Sequence, residues 1–65
     1  MTECMVRFRD GTSRLCRVRR WQRTGPGRDD WRLLLVWTVT GLTFGDWFAY
    51  DPAHIEGDPD KPANS

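Results

Sequence analysis

The chain has 65 residues, ten basic and nine acidic, for a net charge of +1. One domain is the most this length supports, with a marginal core, since a chain of about 60 residues buries only about 60% of the surface it exposes when unfolded. No run of 18 apolar residues exists to span a membrane, and the start Met1-Thr2-Glu3-Cys4 lacks a basic-then-apolar leader, so no membrane partner and a cytoplasmic, reducing setting are expected.

The first element expected is a strand over about 3–9. Within it Val6-Arg7-Phe8-Arg9 places arginine at every second residue, the period of a strand with one wet and one buried face. Asp10-Gly11-Thr12 is a turn signal, and a second strand over about 14–21 repeats the alternation in Cys16-Arg17-Val18-Arg19. Parity fixes the loop between them. A two- or four-residue loop puts Arg17 and Arg19 on the side of Val6 and Phe8, burying charge at a cost of several kcal/mol. A three-residue loop with Gly11 left-handed instead puts Cys4, Val6, Phe8, Cys16 and Val18 on one face. Arg7, Arg9, Arg17 and Arg19 then share the other, together with Met5, Leu15 and Trp21.

Residues 24–30, Thr-Gly-Pro-Gly-Arg-Asp-Asp, are a loop. The third strand, over about 31–40, is the strongest: Trp31, Leu33, Leu35, Trp37 and Val39 are apolar at every second position, and Leu34 with Val36 makes its centre apolar on both faces. That marks a central or strongly bent strand. Residues 41–46 read as a turn or short hairpin tip, and 47–50 as a fourth strand. Asp51-Pro52-Ala53-His54 reads as one capped helical turn, followed by a short last strand at Ile55 and Glu56. Residues 57–65, with two prolines, two aspartates and no large apolar side chain, read as a disordered tail behind a single β domain over 1–56.

This spacing predicts an all-β fold: a small, strongly curved antiparallel sheet or barrel of four to five strands. The order of an aromatic strand, Asp51-Pro52-Ala53-His54 and then an isoleucine, over residues 46–56, resembles the ending of SH3-like barrels, where a short helical turn precedes the last strand. The resemblance is to an architecture and carries no activity with it.

The net charge hides a dipole. Residues 1–40 hold nine arginines against Glu3, Asp10, Asp29 and Asp30, giving +5; residues 41–65 hold Lys61 against Asp46, Asp51, Glu56, Asp58 and Asp60, giving −4. A basic half attracts phosphate or an acidic protein surface, although a solvated strand face produces the same pattern. Catalysis has little support: His54 is the sole histidine, and Cys4 and Cys16 lie on the expected core face, so no enzyme is expected. Those three side chains are too few for a structural zinc site, and no cofactor is expected. The expected contact surface is the arginine-bearing hairpin, with Arg7, Arg9, Arg17 and Arg19 clamping nucleic-acid phosphates or carboxylates and Trp21 stacking or anchoring. The alternative is a protein-interaction module, such as a phage or mobile-element accessory protein that modulates a host protein, or a homodimer covering its own apolar face. Met5, Leu15 and Trp21 beside arginines suit such an interface.

Overall fold

A computed structural model describes residues 2–57 and Pro62. The chain forms five strands, β1 (Thr2–Arg7), β2 (Ser13–Arg23), β3 (Trp31–Val39), β4 (Leu42–Ala49) and β5 (Ile55–Gly57), and no helix among the described residues. Every pairing is antiparallel, and the order across the sheet is β4-β3-β2-β1-β5. Four strands meander, and the fifth returns to the outer side of β1. No helix of the described residues is long and apolar enough to cross a membrane.

The first turn has the geometry that parity requires. Phe8 N–H donates to Thr12 O at 2.8 Å and Gly11 N–H to Phe8 O at 3.0 Å, which closes a three-residue loop. Gly11 stands at φ +88°, a region open to glycine but strained for other residues. Asp10 Oδ1 accepts from Thr12 N–H (2.9 Å) and Thr12 Oγ1 (2.6 Å), and these bonds hold its carboxyl below the ordinary range. The loop sets Cys4 opposite Cys16 and Val6 opposite Arg14. Cys4, Val6, Cys16 and Val18 are buried with Leu33 and Leu35 of β3, both leucines at 0% exposure, and Arg7, Arg9, Arg17 and Arg19 are exposed, as expected.

One sheet buries leucines completely only if it rolls around them. Phe8 reaches across from the end of β1 to Phe48 of β4, 5.7 Å between ring centroids, though two strands separate them in the sheet. The aromatics fill the hollow side in two groups. Phe8, Trp37, Phe44 and Phe48 pack at one end, with Phe8 edge-on to Trp37 at 5.1 Å. Trp21, Trp31 and Tyr50 pack at the other. Arg14 and Arg23 close the two ends, their guanidinium groups 5.7 Å from the Phe8 ring and 4.8 Å from the Trp31 ring. The roll stays open, because no ladder joins β4 to β5.

Four expectations are corrected. Trp21 lies on the hollow side, packed against the core, and not on the arginine face. The cause is a bulge in β2: Val18 pairs with Leu35 but Arg20 with Leu34, so Arg19 is an extra residue that inverts the parity of everything after it. Arg9 sits in the turn beyond the end of β1, so the strand row of arginines stops at Arg7. Residues 41–46 are no hairpin tip: β4 starts at Leu42, and the tip is the two-residue turn Thr40-Gly41, with φ of 48° and 81°. Asp51 to His54 form one reverse turn, closed by His54 N–H donating to Asp51 O at 3.0 Å, in place of a helical turn. The chain has no room to continue it, since Ile55 already pairs with Val6. Of the segment 57–65 expected as a tail, Gly57 pairs with Cys4 in β5, Pro62 is half-buried, and the rest lies outside the described residues.

Candidate nucleic-acid interface

Strand alternation and the bulge together decide which side chains share the outer face. β1 contributes Glu3, Met5 and Arg7. β2 contributes Leu15, Arg17 and, through the bulge, both Arg19 and Arg20, followed by Gln22. β3 adds Arg32, Leu34, Val36 and Thr38, and β4 adds Thr43, Gly45, Trp47 and Ala49. Side chains facing across the sheet form rows. Arg20, Leu34 and Trp47 make one, and Gln22, Arg32 and Ala49 the next.

The charge on this face is one-sided. Arg7, Arg17, Arg19, Arg20 and Arg32 stand against Glu3, whose carboxylate lies 4.0 Å from Arg17 Nε in an exposed pair. Such a pair contributes little and leaves the guanidinium available to other anions. Of the other carboxylates, Asp10 lies in the first turn, Asp29 and Asp30 in the long loop, Asp46 on the hollow side and Asp51 in the last turn, while Glu56 of β5 pairs with Met5 at the far edge of the sheet.

Trp47 is the aromatic of this face. It is 36% exposed, and the Arg32 guanidinium stacks 4.6 Å from its ring centroid. Arg32 Nε also donates to Gln22 Oε1, so the guanidinium is held flat by a hydrogen bond on one side and a ring on the other. A planar cation fixed beside a half-exposed indole is suited to bind a phosphate and a base together. Met5 and Leu15, 37% and 57% exposed, extend apolar surface toward β1.

The structure therefore brings Arg7, Arg17 and Arg19 together on this face and separates Arg9 and Trp21 from it. Arg20, Arg32 and Trp47 are members that parity alone does not predict. Two signals in the chain point to them. Adjacent arginines at 19 and 20 break a strict alternation, as an extra strand residue would, and Thr40-Gly41 is a two-residue turn that fixes the parity of β4 against β3.

The seam between β1 and β4 is a second concavity. A groove of about 800 Å³ opens there over Val6, Phe8, Leu35, Phe48 and Ile55. Its rim carries Arg7 and Arg9 but also Asp10 and Asp51, the latter 2.9 Å from His54 Nδ1, so no single charge type is favoured. Cys4 and Cys16 face each other as free thiols below the sheet surface. Burial raises both, Cys16 to about 11, which keeps them protonated and unreactive at neutral pH. Comparison with family models, characterised proteins and solved structures finds no match to this chain.

Proposed function

We propose that this chain is a non-enzymatic binding module that holds nucleic acid on the outer face of β1 to β4. The observation that carries this reading is five arginines against Glu3, the one carboxylate that β1 to β4 turn to this face, with a half-exposed tryptophan stacked on Arg32 among them. Arg17, Arg19, Arg20 and Arg32 neutralise phosphates, and Trp47 stacks on a base. A four-strand meander whose fifth strand returns beside the first supports an SH3-like, partly open barrel as the architecture. A reducing, cytoplasmic compartment goes with this reading, in which two buried cysteines serve as small apolar members of the core.

Titration of labelled single- and double-stranded oligonucleotides at low and moderate salt tests the reading. Phosphate contact gives an affinity that falls steeply with salt, with a slope of roughly −0.7 per neutralised phosphate for a single strand. Replacing Arg17, Arg19 or Arg20 with alanine should lower that slope by about one contact each. Absence of binding at low salt, where electrostatics are least screened, would overturn it. A protein partner is the second reading, favoured by the exposure of Met5 and Leu15 beside the same arginines. It predicts weak salt dependence and one or two dominant anchors.

A further inference from the structure

β4 ends the sheet. β3 takes one of its edges and no described strand takes the other. Folded proteins usually blunt such edges with short strands, lysines, prolines or bulges. β4 has none of these and carries one other such device, the inward-pointing charge of Asp46. It runs eight residues, pairs with β3 without a break from Arg32↔Ala49 to Val39↔Leu42, and contains neither proline nor a basic residue. Three of the chain's exposed large apolar side chains, Leu42 (62%), Phe44 (45%) and Trp47, lie on it.

Its backbone polarity follows from one bond. Tyr50 N–H donates to Trp31 O at 2.9 Å, so by alternation Leu42, Phe44, Asp46 and Phe48 turn their main-chain groups toward β3. Thr43, Gly45, Trp47 and Ala49 turn theirs outward. One of these outward donors is held by a neighbour: Trp47 N–H donates to Asp46 Oδ1 at 2.8 Å. Asp46 is also the only charged side chain of the strand.

We propose that the outer edge of β4 is a self-association site, where β4 of a second copy adds antiparallel about a two-fold axis at Gly45, and that the Asp46 carboxylate competes with it as a latch. The register follows from symmetry. A two-fold axis normal to the sheet keeps both hollow faces on one side, so facing residues share parity. Two registers then overlap all but one residue of the strand. The first is centred on Asp46 and sets two carboxylates directly opposite each other, which is destabilising. The second is centred on Gly45 and sets Thr43 opposite the partner's Trp47 and Leu42 opposite the partner's Phe48. In it Trp47 N–H leaves Asp46 and joins the new ladder.

A second copy fits this edge better than a charged foreign strand. In the register centred on Gly45 each Asp46 lies opposite the partner's Phe44 and not the other carboxylate, while the exposed Leu42 of each copy meets the partner's Phe48 on the same face, so apolar side chains cover apolar side chains. Strands about 4.8 Å apart place the two β2 arginine rows roughly 24 Å from each other. That exceeds a Debye length of about 8–10 Å, so their mutual repulsion is screened. The axis uses the β4 edge of both copies, so association closes at a dimer.

Sedimentation of the full chain from micromolar to millimolar concentration tests this, beside Thr43→Pro and Asp46→Ala. Thr43 N–H faces outward, so proline there removes an edge donor and leaves the β3 ladder intact. The wild type should pass from monomer to dimer with concentration, Thr43→Pro should stay monomeric, and Asp46→Ala should dimerise at roughly tenfold lower concentration. Amide exchange provides a readout that needs no variant: the Thr43, Gly45 and Trp47 amides should gain protection as the wild-type concentration rises. A wild type and Asp46→Ala that both remain monomeric, a Thr43→Pro that folds and dimerises like the wild type, or assemblies beyond the dimer would each overturn it. An unchanged midpoint for Asp46→Ala would remove the latch.

Discussion

At the scale of single residues, Trp21 and Trp47 stand on opposite faces of the sheet. Trp21 packs edge-on against Trp31 and Tyr50, at 6.1 and 5.4 Å, on the core side of the sheet. Trp47 stands on the outer face beneath Arg32. Trp21→Ala should therefore destabilise the fold by about 2–4 kcal/mol, on the scale of large-to-small core changes, and lower ligand affinity only through unfolding. Trp47→Ala should change the urea midpoint little and weaken single-strand binding by roughly 1–3 kcal/mol. Parallel denaturation and binding titrations of both variants check the assignment, and the reverse pattern would restore Trp21 to the contact surface. The cysteines yield a pH dependence with a definite sign. The Cys16 thiol is pushed from the ordinary 9.0 up to about 11, first by burial and next by the neighbouring Cys4, with Arg14 opposing. Its proton is held more tightly when folded. The associated stability is thus full below pH 9 and is lost as pH rises toward 11. Urea midpoints measured across that window should fall, and Cys16→Ala should flatten the decline.

At the scale of elements, the bulge and the hairpin turn set the functional face, and each can be tested by changing one residue. Arg19 is the extra residue between Val18↔Leu35 and Arg20↔Leu34. Deleting it leaves those pairs in a regular ladder, so the fold should survive with Trp21 still inside and a flatter β2. Deleting Arg17 shifts the parity between Cys16 and Val18 and should unfold the chain. Near-ultraviolet circular dichroism of the tryptophan cluster separates the two outcomes. In the second hairpin Thr40 holds φ 48° ahead of Gly41, and a β-branched residue is strained there. Thr40→Asn suits the two-residue turn better and should add about 0.5–1 kcal/mol, read from the thermal midpoint. These two elements also mark where the sequence was legible. The parity of the first hairpin could be read, because misplacing it by one buries Arg17 and Arg19, a cost no other term offsets, but its turn begins at Arg9, one residue before the Asp10-Gly11 signal. β3 could be read because its apolar alternation is uninterrupted from Trp31 to Val39. The bulge was not, since an unpaired strand residue costs little and its only trace is the doublet Arg19-Arg20. Nor was the length of β4, where Gly45 mimics a turn; a side chain there would come within 3.1 Å of Val36. Trp47 was missed as a consequence.

At the scale of the whole molecule, the arginine face and the β4 edge act on the same ligand if both proposals hold. Pairing two copies through β4 places their outer faces on one side of a continuous sheet, with the two Trp47 side chains near the axis and the arginines of each β2 beyond them. A single strand long enough to cross the axis then meets two sites in sequence. Its second contact is intramolecular, and such linkage commonly raises affinity by roughly 10²-fold or more when the span matches. OB-fold single-strand binders occupy about 4–16 nucleotides per domain; with a site of that span on each copy, oligonucleotides below and above twice that size should differ sharply. The longer ones should bind far more tightly than the count of phosphates predicts, and should promote dimers at concentrations where the free chain is monomeric. Thr43→Pro separates the two proposals. It leaves every arginine and Trp47 in place, so short oligonucleotides should bind it as they bind the wild type, with the same salt slope. Long oligonucleotides should lose their excess affinity and no longer drive dimerisation. If long and short strands instead bind the wild type in simple proportion to length, the two faces act independently. If Thr43→Pro weakens short strands as well, β4 belongs to the contact surface itself, and Thr43 to the track that leads from Trp47.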